Sequence, residues 1–515
     1  MADRIPSPAL SSWRRANRGD VSGTRPSIDS RWCPPCLPVL VALLFIAALP
    51  DTAAAHAADR GYILLLPTTL TIVGGTLAVI LTVVLCLFIK RHRPLSDTVN
   101  NTEPAETPLT AQVLRSIGAV ILLWLLVTGF RGNPDPLSNP LPLTVWTLWW
   151  VLLTAAHAIF GRLWYWIDPF AGIASGVRLV TGQRTGNPRV NLTPAVGYPI
   201  AALGLLGFGW FELVSLQPED PPTLAIAVLC YTVFSVSGNL LCGEHAWRRH
   251  GDAFAVFFDF IATLKPWVYR TPINQCNDPG DTPIHQPRKL ALTWPASQVL
   301  SQPVPHWTAC LVILVALSLV SFDGLNKTFW WLHLHEINPL AFAGRSSMTL
   351  INSVGLVVFA SALLLAFLLT QWFAWLISGR QTTLAHGVAV FGLSLLPISL
   401  AYHVAHYLTL ALVNGQYWLK ALADPLSIGW NLTGFANHTV TTSFLSNHHA
   451  VEIIWYLQTT LIVVGHCLAV VVSHQMALTL YDKHRTAIIA QLPLTVLMVF
   501  FTAFGLWLLS APTGL

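Results

Sequence analysis

Charge is what this chain has least of. Only 10% of its 515 residues are Asp, Glu, Lys or Arg, while 54% are hydrophobic and the mean hydropathy is +0.59. Soluble domains carry about 25% charged residues, so the shortage excludes that class and leaves an all-α polytopic membrane bundle. The net charge of +5 is small and scattered through loops, which excludes a basic nucleic-acid surface and reads as topology bias. Cysteine is missing where a disulfide would form. Cys86, Cys230, Cys242, Cys310 and Cys467 fall in or beside apolar runs, and Cys276 lies in an inner loop. No pair shares an outer loop, so no extracytoplasmic disulfide framework is expected. No internal repeat marks an inverted-repeat transporter.

The amino terminus is expected to be a signal peptide spanning residues 1–57. Arg14, Arg15, Arg18 and Arg31 precede the short apolar run Leu37–Pro50, and the Ala-rich stretch through Ala57 supplies an Ala-x-Ala cleavage pattern. An uncleaved short helix is the alternative. Cys33-Pro-Pro-Cys36 resembles a redox or metal pair but falls within the part to be removed.

Crossing the hydrocarbon core takes about 20 apolar residues. Ten such runs are present in the multi-pass part, 58–515: 62–90, 112–130, 141–160, 194–214, 222–242, 306–323, 347–378, 385–413, 450–480 and 489–511. Lys90, Arg91 and Arg93 put the end of the first run in the cytoplasm. Alternation then gathers Arg162, Arg178, Arg184 and Arg189 in one inner loop, and Arg248, Arg249, Lys265, Arg270, Arg288 and Lys289 in the next. Arg380, Lys483 and Arg485 complete the inner set, and the outer loops keep scattered charges such as Arg131, Lys327, Arg345 and Lys420. Both mature termini are therefore expected outside. Gly161–Phe170 and His250–Trp267 mix aromatics with charge and read as interfacial segments, while Thr271–Gln302 reads as irregular.

Imidazoles inside these runs draw attention, because lipid offers them no hydrogen bond. His403 and His406 share a helix face in the eighth run, flanked by Tyr402 and Tyr407. The ninth run opens with His448, His449 and Glu452 at i,i+4 and i,i+3 spacing, and the outer loop 323–345 carries His333, His335 and Glu336. Convergence of His403, His406, His448, His449, His333 and His335 near the outer face would suit a divalent metal. A metal-bound water would then act as nucleophile, with Glu452, Tyr402 or Tyr407 moving the proton or polarising the substrate. The bland reading of each is helix-to-helix hydrogen bonding. His466 and His474, eight residues and so about 12 Å apart, are too far apart for one metal. They read as packing, a proton path or haem ligands, whereas His157 and His386 read as structural and His438 as a weak candidate. Asp135 and Asp323 read as turn chemistry that could face the same pocket.

Several of these motifs together resemble a known family. Gly132-Asn-Pro-Asp-Pro-Leu-Ser-Asn-Pro-Leu141, Val145–Trp150, Gly161–Pro169, Ser321–Leu325 with Phe329-Trp-Trp331, Pro397–Tyr407, Asn414–Tyr417 and Val464–Val470 are similar to the bacterial membrane proteins called fenitrothion hydrolases, over most of residues 110–480. The resemblance implies organophosphate degradation, a detoxifying hydrolysis of the P–O–aryl bond in a bacterial inner-membrane enzyme that can require a second protein subunit. An apolar organophosphate would reach the site laterally through the lipid bilayer. Two other readings use the same histidines: a transporter or metal-handling permease, favoured by Pro397 beside His403, and a haem or copper protein with His466 as axial ligand.

Overall fold

Ten helices long and apolar enough to cross a membrane are present among the described residues, and they coincide in order with the ten apolar runs. They are Thr68–Cys86, Leu109–Arg131, Pro140–Phe160, Pro194–Leu213, Pro221–Cys242, Ala309–Asn326, Arg345–Ile377, Leu384–Ala423, His448–Leu480 and His484–Ser510. The computed structural model describes residues 68–89, 107–182, 188–270, 289–338 and 345–511. The expected signal segment with Cys33 and Cys36, the basic run from Lys90 to Arg93, Arg184, and Cys276 with the start of the 271–302 loop lie outside the described residues. The chain is a polytopic helical bundle, and the sixth and ninth spans form its centre, 83% buried against 22% for the seventh.

Capping fixes several of the boundaries. Asn139 accepts from Leu141 N at 3.0 Å where the third span begins at Pro140, Asp220 accepts from Thr223 N ahead of the fifth, and Asn447 accepts from Ala450 N ahead of the ninth. The third span is wound as a π-helix over Thr144–Leu153. The eighth span is interrupted, with helices Leu384–Leu393 and Leu396–Ala423 separated at Ser394 and Leu395, and Pro397 in the first turn after the break.

That span also runs past its expected end at 413. Residues 414–423 continue the helix because Gln416 donates to Leu412 O and Thr441 O, and Trp418 Nε1 donates to Thr144 Oγ1 at 3.1 Å. Fifteen residues of the eighth span (403 to 418), but only six of the third (150 to 144), separate the His403–Trp150 contact from the Trp418–Thr144 contact. The eighth helix therefore crosses the third obliquely and covers its end. We call this the Asn133 end, after the turn 132–139, and the opposite one the basic end, after Arg162, Arg178, Arg189 and Arg249.

One expectation is corrected here. His250–Trp267 is not interfacial: it contains a helix, Ala253–Ile261, in which Ala253 to Phe258 are all buried, packed on the fourth, sixth and eighth spans. Phe254 meets Phe208 of the fourth span at 5.0 Å, and Phe257 meets Trp150 at 5.6 Å in the middle of the third. Both acids of this segment are partnered inside the protein, which lowers the cost of burying it. Asp252 caps the helix through Ala255 N at 2.8 Å and also accepts from Ser235, while Asp259 pairs with Arg162 at 3.5 Å. Asp168 caps the neighbouring helix Pro169–Thr181, and burial with Asp252 nearby holds its carboxyl above the usual carboxylate range. Gly161–Phe170 is likewise split, with Trp164, Tyr165 and Phe170 buried and Trp166 exposed. The stretch 271–302, expected to be irregular, is partly regular: Lys289–Leu292 pairs antiparallel with Trp267–Arg270, and Ser297–Ser301 forms a short 3-10 helix.

Small residues set the closest helix approaches. A Cβ on Gly465 would meet Ala401 and would come within 2.9 Å of Pro397 O, and one on Gly505 would overlap the Tyr402 ring and hydroxyl. Gly505→Ala is accordingly expected to cost about 1–3 kcal/mol by overpacking. The check is the thermal midpoint of the detergent-purified protein; an unchanged midpoint would mean that Tyr402 turns aside freely.

Candidate functional site

At the Asn133 end the spans diverge around a cavity of about 140 Å³, lined by Trp146, Glu212, Asp323, Asn326, Lys327, Arg345 and Tyr407 among others. Asp323 lies one turn before the end of the sixth span. Its Oδ2 accepts from His406 Nε2 of the eighth span at 2.5 Å, and Lys327, one turn on, reaches Oδ1 at 2.5 Å. The Asp323 side chain is 4% exposed, His406 26% and Lys327 42%, so the carboxylate is interior while both of its partners reach toward solvent.

A second pair lies beside the first. Tyr407 donates to Glu212 Oε1 at 2.9 Å, joining the eighth span to the end of the fourth. Arg345, at the start of the seventh span, donates to the backbone carbonyls of Glu212 and Ser215 at 3.1 and 3.0 Å. Those acceptors are neutral, so its charge is not cancelled by them. Two buried acceptors on the cavity wall meet no donor, Glu212 Oε2 and Asn326 Oδ1. A His–Asp pair fixes the imidazole's orientation and tautomer as a general base requires, and Lys327 and Arg345 place positive charge where an anionic centre would develop.

The histidines expected to converge do not form one cluster. His403 is buried, and its Nε2 bonds Trp150 O at 2.7 Å with its ring edge-on to that indole. It therefore serves the third span, and His406 serves the sixth. Tyr402 faces the tenth span, with its hydroxyl 3.4 Å from Phe501 O. His448, His449 and Glu452 do come together, all ligand atoms within 4.8 Å, and among the described residues they are the one such group of three. Their imidazoles are 61% and 89% exposed, and none of the three lines the cavity. The reason is axial. Gln458 Nε2 donates to Ala405 O at 2.8 Å, so residue 458 stands level with His403 and His406. The ninth helix begins ten residues earlier, which puts His448 about 15 Å beyond that level.

The remaining candidates are local. His333 is exposed on the short helix Phe329–Leu334, and His335 Nδ1 bonds Trp331 O at 2.9 Å. His466 bonds Ile462 O at 2.8 Å, and His474 bonds Gln491 at 2.9 Å. His157 is structural, taking Leu153 O and Trp164 N at 2.7 and 2.8 Å. His438 meets Phe435 edge to face at 6.2 Å, and His386 is exposed. Asp135 does make turn chemistry, accepting from Ser138 Oγ at 2.7 Å, whereas Asp323 proves central. Glu212 and Asn326 escaped the sequence reading, and Lys327 and Arg345 were read only as scattered loop charges. The available signal was a carboxylate inside an apolar run, at Glu212 as at Asp323. Comparison of the chain with protein-family models, curated proteins and solved structures gave no match.

Proposed function

We propose that this chain is a membrane-bound hydrolase of apolar organophosphorus triesters, cleaving the P–O–aryl bond with His406 as base and Asp323 as its orienting partner. The observation that carries the reading is the His406–Asp323 pair: Asp323 lines the cavity together with Lys327 and Arg345, and His406, next in the chain to the lining residue Tyr407, is bonded to that carboxylate from the eighth span. The motif resemblance of residues 110–480 supplies the substrate class. With Nε2 committed to Asp323, Nδ1 is the nitrogen that takes a proton from water as the water oxygen bonds to phosphorus. Negative charge then grows on the phosphoryl or thiophosphoryl group beside Lys327 and Arg345. The P–O–aryl bond breaks with its electron pair leaving on the aryl oxygen. Trp146, Leu143 and Leu410 form the apolar part of the wall.

In this reading the basic end faces the cytoplasm of a bacterial inner membrane, and the cavity and both mature termini face the periplasm. A divalent ion is proposed only at His448, His449 and Glu452, and it is given no step because none of them lines the cavity. A second reading, a permease, is favoured by the broken eighth span and by the buried helix Ala253–Ile261.

The test is release of the phenol from fenitrothion by the purified protein and by His406→Ala at matched abundance. Wild-type turnover that falls about 10²–10⁴-fold in the variant supports the hydrolase. A wild type that forms no product, yet moves solute or metal ions into proteoliposomes, supports the permease instead.

A further inference from the structure

We propose that Glu212 is the acid of this site: it carries the proton that the departing aryl oxygen takes up, and Tyr407 is the residue that positions it. The inference rests on the hydrolase reading above and adds a residue to it. Three observations bear on Glu212. Glu212 is one of the residues that line the cavity, its Oε1 accepts from the Tyr407 hydroxyl at 2.9 Å, and its buried Oε2 meets no donor. An ionised carboxylate oxygen left dry and unpaired is among the most costly arrangements in a protein interior, whereas a carboxylic acid needs only an acceptor for its one proton.

The division of partners between the two acids points the same way. Lys327 and His406 both go to Asp323, and Arg345 Nη1 donates to the backbone carbonyls of Glu212 and Ser215 rather than to the Glu212 carboxyl. Two carboxyl groups on the wall of one small cavity are thus given opposite surroundings. Such a contrast separates an acid from a base, with Asp323 ionised to orient His406 and Glu212 neutral to donate.

The step balances. Water gives its oxygen to phosphorus and one proton to His406 Nδ1. The P–O–aryl bond breaks with its electron pair on the aryl oxygen, which takes the Glu212 proton and leaves as a phenol. The resulting carboxylate keeps the Tyr407 hydrogen bond and has the Arg345 guanidinium on its own backbone carbonyl. The proton on His406 returns to Glu212 by way of solvent, and no other reactant is needed.

The test uses two diethyl phosphorothioate triesters that differ only in the phenol, one 4-nitro and one unsubstituted, with the full-length protein in membranes. A nitrophenolate leaves unaided, and a plain phenolate needs the proton. Glu212→Gln is expected to retain the nitrophenyl ester within a few-fold and to lose about 100-fold or more on the phenyl ester. Tyr407→Phe should shift the same ratio in the same direction by less. Equal losses on both esters at wild-type abundance, or no loss on either, would overturn the assignment while leaving the hydrolase reading intact. Wild-type membranes that cleave neither ester would sink the hydrolase reading and this inference with it. Should Glu212→Gln fail to accumulate, the ratio in Tyr407→Phe decides: unchanged, it overturns the role.

Discussion

Asp323→Asn is expected to lower the rate of triester hydrolysis about 10²–10⁴-fold with little change in membrane abundance. The substitution keeps the shape of the side chain and removes its charge. Asp323 Oδ2 accepts from His406 Nε2 at 2.5 Å, so in the proposed mechanism Nδ1 is the nitrogen that acts as base. An asparagine can turn its amide nitrogen toward the ring. That would reverse the tautomer and place a proton where the base needs a lone pair. The protein itself tolerates the change, because Lys327 is 42% exposed and can swing its ammonium into water once its partner is neutral. Initial rates at matched abundance provide the measurement. His448→Ala/His449→Ala is the contrasting variant, with near-wild-type rates expected because these rings are 61% and 89% exposed and off the cavity wall. Loss in the double histidine variant with retention in Asp323→Asn would move the chemistry to the exposed cluster and revive a metal-bound nucleophile.

The spans were legible because a bilayer imposes length and apolarity on each segment separately, and neither needs knowledge of a neighbour. Where reading stopped, the missing information was a partner. The 414–423 extension looks too polar to be part of a span; it is held by Gln416 on Thr441 O and Trp418 on Thr144, contacts no local pattern shows. His250–Trp267 reads as interfacial because it mixes aromatics with charge, whereas Asp252 caps a buried helix and Asp259 pairs with Arg162. His403 and His406 stand out as imidazoles within an apolar run, but a shared face does not mean a shared partner: one meets Trp150 O and the other Asp323. Asp323, in Ser-Phe-Asp-Gly, had the local signature of a turn while lying within the sixth span, Ala309–Asn326. For Glu212 and Asp323 the better guide was the cost of placing a carboxyl in an apolar run at all.

The same cost makes the strongest stability prediction, at the basic end. Arg115 lies in the second turn of the second span with its side chain 3% exposed. Its Nη1 is 2.6 Å from Glu244 Oε1, its Nε donates to Tyr165 O at 2.9 Å, and its guanidinium lies 4.9 Å from the centre of the Tyr165 ring. Arg248 lies 4.8 Å from that same ring, so this corner is held by charge rather than by apolar packing alone. Arg115→Met strips Glu244 of its cation and Tyr165 O of its donor, and breaking a buried pair from one side costs about 3–5 kcal/mol. Glu244→Leu alone should cost at least as much. The group it strands is the deeper one, since the Glu244 side chain is 19% exposed and Arg115 is 3%. Removing both charges is a different experiment, because a pair exchanged for apolar side chains of similar volume is often neutral. Arg115→Met/Glu244→Leu should therefore recover most of the thermal midpoint lost by either single variant, leaving a deficit of about 1–3 kcal/mol for the unmet Tyr165 carbonyl. Midpoints measured in one detergent on all four proteins decide the matter. A double variant no more stable than the worse single would mean that Arg115 acts through Tyr165 and its neighbours, with Glu244 a bystander.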